Sequence, residues 1–170
     1  MADLSNSFQT VSDHNLKNTS VIENLSFDIF EISVLRIMRY FCEAVDQPAR
    51  QTWKLAFREA EKIFPVPYGA TIAHAISVAI DMVCVSRARN FCYFQWNSLQ
   101  AKDLITDEER YFLMTLHHIR RRKKSVARSY AMMVSEGPQF GDFLAALERI
   151  GVITGDVESP DFNLQKTSDR

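Results

Sequence analysis

Two groups of residues in this 170-residue sequence have the types and spacing that chemistry needs. The first is His74, Ser77, Asp81 and Cys84, with Thr71 beside them. Their spacings of 3, 4 and 3 put an imidazole, a hydroxyl, a carboxylate and a thiol on one side of a helix. Such a set could orient a histidine for proton transfer or hold a metal ion. The spacing disfavours both. His74 and Asp81 stand two turns apart, ~10.5 Å along one helix, and no Glu-x-x-His pair of the kind bundle metal sites use occurs in the chain. The stripe therefore reads as a polar edge that meets water or polar groups of other helices. A pocket around His74, Ser77, Asp81 and Cys84, serving a bundle enzyme or a small-molecule receptor, is the alternative reading.

The second group is the run from His117 to Arg128, His-His-Ile-Arg-Arg-Arg-Lys-Lys-Ser-Val-Ala-Arg. Between Arg110 and Ser135 there are seven basic residues and no acidic one. On a helix, Phe112, Leu116, Ile119, Val126, Ala127, Tyr130, Met133 and Val134 fall within about 60° of one direction and form a core stripe. Arg110, His117, Arg120, Arg121, Lys124 and Arg128 fall together on a neighbouring basic face, with Arg122 on the opposite shoulder. Lys123 falls inside the apolar stripe. It must therefore meet an acid, snorkel outward or mark the point where the helix leaves the core. The basic face suits an acidic protein surface, the chain's own acidic tails, or the phosphates of a nucleic acid through counterion release. A solvated helix face is the plainest alternative. No helix-turn-helix, zinc-finger or RNA-binding aromatic signature accompanies the run.

Nothing else enforces a reaction. His117 and His118 point about 100° apart on a helix and make poor joint ligands. Glycine-rich phosphate loops, a nucleophile elbow and HExxH are absent, and only five glycines occur. The sequence thus points away from an enzyme and calls for no cofactor and no metal. Cys42, Cys84 and Cys92 are an odd number in apolar stretches, with no CxxC pair, and read as buried reduced thiols. The N-terminus has neither the basic start nor the apolar run of a secretory signal. The most apolar stretch, 70–85, carries His74 and Asp81 and reads as too short and polar to span a membrane. A cytoplasmic protein without a membrane partner is expected.

The elements that must position these residues are helices. Residues 1–25 are polar and read as a flexible acidic arm. Phe27, Phe30, Val34, Ile37 and Phe41 then recur at spacings of 3 and 4, and further apolar residues fill most other sides of that helix. Five helices offer limited surface to cover it, which suggests a homodimer. Pro48 restarts the chain into an amphipathic helix ended by Pro65-Val-Pro-Tyr-Gly69. A third helix starts near Ala70 and runs toward Trp96, and the aromatics Phe91, Tyr93, Phe94 and Trp96 read as core. Thr106-Asp-Glu-Glu109 is a capping box opening a fourth helix expected to reach Ser135, stopped by Gly137-Pro138. A short fifth helix ends at Gly151. No strand is expected. The fold class is all-α: an antiparallel bundle of four main helices plus a short C-terminal one over 26–153, with a flexible tail over 154–170.

The net charge of −1 hides a pattern. Residues 1–35 hold five acids and one base, 36–109 nine of each, 110–135 seven bases alone, and 136–170 seven acids and three bases. Neutrality here is a cancellation between acidic ends and one basic helix. The resulting expectation is a non-enzymatic interaction or regulatory protein that binds an anionic macromolecule through the basic face of 107–135. Direct nucleic-acid binding by the same helix is the second reading.

Overall fold

The computed structural model describes residues 8–11 and 18–154. The described residues are mostly helical, with six α-helices and four strands of three residues each. In order they are β1 (Phe8–Thr10), β2 (Thr19–Val21), α1 (Ile29–Asp46), α2 (Trp53–Ile63), α3 (Tyr68–Ser86), β3 (Phe91–Tyr93), β4 (Leu104–Thr106), α4 (Asp107–Arg120), α5 (Lys124–Val134) and α6 (Gly141–Thr154).

The strands correct the expectation of none. β1 pairs parallel with β3, and β2 pairs antiparallel with β4. These short ladders fasten part of the acidic N-terminal segment to the helices. Phe8 is buried, its ring 5.4 Å from that of Phe91 and 6.1 Å from that of Tyr93. The remainder of the expected arm (1–7 and 12–17) and the expected tail beyond Thr154 lie outside the described residues.

The core gathers around α1. Val34, Ile37, Met38 and Cys42 are fully enclosed, packed among side chains of α2, α3 and α4. A single chain thus covers nearly all of this helix. The argument for a second copy from its all-round apolar surface keeps Ile29, which is 72% exposed, and half-buried Ile32, Ala44 and Val45. α3 packs against α1, α2 and α6 and buries Ile72, Ala73, Ala75, Ile76, Ala79, Ile80 and Val83. At 19 residues it is longer than the apolar stretch 70–85 that reads as too short to span, and by length and composition alone it is apolar enough to cross a membrane. Its small residues let α2 approach closely: a Cβ on Gly69 would lie 2.8 Å from the Ala60 carbonyl oxygen. α3 ends at Ser86, short of Trp96, and the next segment forms β3. Phe91, Tyr93 and Phe94 are core residues as expected, whereas Trp96 is 39% exposed.

The fourth predicted helix is two. α4 stops at Arg120, and Arg122 adopts the left-handed conformation with φ 56°. The Arg122 N–H donates to the Ile119 carbonyl (2.9 Å) and the Lys123 N–H to the His118 carbonyl (2.8 Å). This is the hydrogen-bond pattern of a Schellman stop, with arginine where glycine is usual. The turn resolves the Lys123 conflict, because a continuous helix would drive that ammonium into the core stripe, whereas here Lys123 is exposed. α5 then packs back along α4 and ends in the same way, with Glu136 at φ 56° just before Gly137. α6 runs on past Gly151 to Thr154. A Cβ on Gly151 would come 2.8 Å from the Ile119 side chain, so this glycine allows α6 to approach α4.

Candidate functional site

Two capping boxes organise the charged interior. Asp28 caps α1, accepting from the Glu31 N–H (2.9 Å), while Glu31 accepts from the Asp28 N–H (3.0 Å). Thr106 and Glu109 do the same for α4. Both glutamates are fully buried, and each also takes cations from the other helix. Glu109 forms a two-pronged pair with Arg39 of α1, at 2.7 and 2.9 Å, and accepts the Phe94 N–H at 3.2 Å. Arg39 spends its remaining donors on the Ala101 and Leu104 carbonyls and lies over the Phe94 ring. Glu31 accepts from Arg120 (2.9 Å) and Arg121 (2.7 Å), and its other oxygen lies 3.0 Å from His117 Nδ1. Arg120 also reaches Asp28 at 2.7 Å and stacks over Phe30. The start of α1 therefore holds the end of α4, and the start of α4 holds the middle of α1. The two helices must run antiparallel.

Each carboxylate accepts four hydrogen bonds, which is what keeps a buried charge tolerable. Burial alone would raise the Glu31 pKa, but hydrogen bonds from His117, Arg121 and the Asp28 N–H outweigh it and hold the group at about 2. His118 stacks on Tyr130 with ring centroids 5.5 Å apart. Burial, followed by the nearby cations His117, Lys123 and Arg121, pushes its pKa below that of an ordinary histidine.

The predicted basic face is thus divided by function. Arg110 pairs with Asp107 at 2.7 Å, and His117, Arg120 and Arg121 are engaged by Glu31 and Asp28. Lys124 and Arg128, both exposed, make no ion pair among the described residues. They stand one turn apart on α5 and line a groove of about 620 Å³ between the start of α5 and the last turns of α6. Arg120 and Arg122 share the wall, Ile119, Ala127, Leu144 and Val152 supply apolar surface, and Glu148 is the one acid on the lining. The structure brings Arg120, Lys124 and Arg128 together here and places Arg110, His117 and Arg121 elsewhere.

No protein family, curated protein or solved structure matches this chain. What it does must be read from the geometry.

The second predicted constellation remains a stripe. His74 and Asp81 are exposed, and the Ser77 hydroxyl donates to the His74 carbonyl (2.8 Å) rather than to a side chain. Partial desolvation against the helix surface raises the pKa of the otherwise exposed Asp81, and burial with the Asp81 charge pushes the Cys84 thiol up to about 12. A thiol so protonated is a poor nucleophile. Among the described residues no group of three His, Cys, Asp or Glu side chains could hold a metal ion.

Sequence reading missed Asp28 and Glu31 as partners of the basic run, missed the buried Arg39–Glu109 pair, and missed the α6 wall of the groove. A signal for the first two existed. Asp28-x-x-Glu31 repeats the capping-box pattern recognised at Thr106, and Arg39 is a charge inside a strongly apolar helix.

Proposed function

We propose that this chain is a non-enzymatic interaction protein that binds an acidic protein partner in the groove between α5 and α6. In this reading the helices serve as an antiparallel bundle whose locked α1–α4 pair holds that groove in shape. The observation that carries it is the division of the basic run. Arg120 and Arg121 are consumed inside the molecule together with His117, while Lys124 and Arg128 face an apolar-floored groove and make no ion pair among the described residues. An acidic peptide carrying apolar side chains would satisfy both the rim and the floor. Three exposed cations without an ion pair among the described residues, Lys123, Lys124 and Arg128, are few for tracking a nucleic-acid backbone, which favours the protein partner over a duplex.

A fluorescein-labelled peptide of alternating Glu and Leu is a suitable probe. It should bind the native chain and lose at least about tenfold in affinity, about 1.4 kcal/mol, to the Lys124→Glu/Arg128→Glu variant. A steeply salt-dependent preference for a DNA duplex over this peptide would instead favour the nucleic-acid reading. The reading needs only one copy of the chain and assigns it to a reducing, cytoplasmic setting. Dimerisation around exposed Ile29 is a separate proposal, to be checked by sedimentation equilibrium of the native chain against Ile29→Glu.

A further inference from the structure

We propose that, until a partner arrives, the groove between α5 and α6 is occupied by the chain's own segment 155–164, which an acidic partner must displace. The segment lies beyond the described residues, and the inference concerns where it docks. It adds regulation to the acidic-partner reading and rests on that reading.

Chain connectivity delivers this segment to the groove. Gly151 and Val152 in the last turn of α6 line the groove, and the helix ends at Thr154, so the segment begins right beside that wall. Gly155 is the residue type that most readily lets a chain leave a helix and reverse. From Val152 back to Leu144 the wall measures ~12 Å at the helical rise. An extended chain covers ~3.3 Å per residue, so about four residues span the wall and the others suffice for the turn.

The composition of the segment matches the lining. It reads Gly-Asp-Val-Glu-Ser-Pro-Asp-Phe-Asn-Leu, with three acids and no base. The lining offers Lys124 and Arg128, exposed and without an ion pair among the described residues, and exposed Arg122. Lys123, exposed as well, stands next to them in the turn before α5. Glu148 is the one acid against these cations. In an extended segment successive side chains alternate. Asp156 and Glu158 fall on one side with Val157 on the other, and Asp161 opposes Phe162 and Leu164. The two sides exchange across Ser159-Pro160, where proline holds the chain out of a helix. Each half can thus turn its acids to the α5 cations and its apolar residues to Ile119, Ala127 and Leu144 on the floor.

Tethering decides between this occupant and others. A segment attached beside its site meets it at an effective concentration in the millimolar range, which a free ligand rarely reaches. With an intrinsic Kd of about 1 mM it would fill most of the grooves and weaken an outside acidic ligand by about three- to tenfold. A partner with more acids or better-fitting apolar side chains still displaces it.

The test uses the full chain and its Asp156→Asn/Glu158→Gln/Asp161→Asn variant. Amide spectra of both are compared at low protein concentration, and both are titrated with the Glu–Leu peptide. The Ala127, Arg128 and Leu144 amides, all far in sequence from the substitutions, should differ between the two chains. The variant should bind the peptide about three- to tenfold more tightly, with the helical circular dichroism unchanged. Groove amides that coincide in the two spectra would overturn the proposal. So would amide differences that appear only as the protein is concentrated, which would assign the segment to the groove of a second copy. Equal, measurable peptide affinities would overturn it too and leave the acidic-partner reading standing. A peptide that binds neither chain would sink the acidic-partner reading instead, and the amide spectra alone would then decide whether the segment docks.

Discussion

Replacing Glu31 by glutamine tests the charged lock between α1 and α4 quantitatively. The substitution keeps the size and one acceptor oxygen of a side chain that is fully buried, and removes the charge that Arg120, Arg121 and His117 share. The native Glu31 pKa is about 2 against an ordinary value of 4.5. That difference corresponds to about 3 kcal/mol of stability at neutral pH. The sign follows from the direction of the shift. A carboxylate depressed in the folded state binds protons more readily when unfolded, so its contribution is complete above about pH 5 and fades as pH falls toward 2. At pH 3 roughly 2 of those 3 kcal/mol are already lost. Urea unfolding of native chain and Glu31→Gln, followed by circular dichroism at pH 7 and pH 3, reads this directly. The gap should be about 3–5 kcal/mol at pH 7, since breaking a buried pair leaves its arginines short of an acceptor. It should narrow by about 2 kcal/mol at pH 3. A gap of the same size at both pH values would refute the assignment of Glu31 as the depressed, charged centre of the lock.

Other outcomes follow from the same coordinates. Arg39→Met should destabilise the fold by about 3–5 kcal/mol in urea unfolding, and Arg39→Met/Glu109→Gln should recover part of that loss, because glutamine removes the unmatched charge while its amide oxygen can still accept a buried N–H. Gly69→Ala should cost about 1–3 kcal/mol in the same assay, since the new methyl would meet the Ala60 and Glu61 backbone, which cannot move aside. Cys84, with its thiol held near 12, should react with iodoacetamide at pH 8 about a thousandfold more slowly than in the urea-unfolded chain, as mass spectrometry would show. Ending the chain at Thr154 removes four acids and two bases, a net charge of −2, and should raise retention on heparin at low salt.

The helices were legible wherever periodicity and stop signals agree. The 3- and 4-residue spacing of α1, the Pro48 restart and the Thr106 capping box each name an element that is present. The division of α4 from α5 was not legible, because arginine carries no local preference for the left-handed conformation that Arg122 adopts. Only the misplaced charge of Lys123 hinted at it. The three-residue strands are too short for an alternation to register, and they exist because long-range pairing fastens Phe8 to Phe91. The basic run was visible as a charge pattern. Its division into inner locks and an outer groove depends on Glu31 and Asp28, about ninety residues earlier in the chain, and on α6.

The most direct test of the acidic-partner groove is a titration of the isotope-labelled native chain with the Glu–Leu peptide, mapping which amides shift. Saturable shifts confined to the first turns of α5 and the last turns of α6, and abolished by Lys124→Glu/Arg128→Glu, are the predicted result. Shifts centred instead on the His74–Asp81 face of α3, or an unchanged titration in the variant, would contradict it.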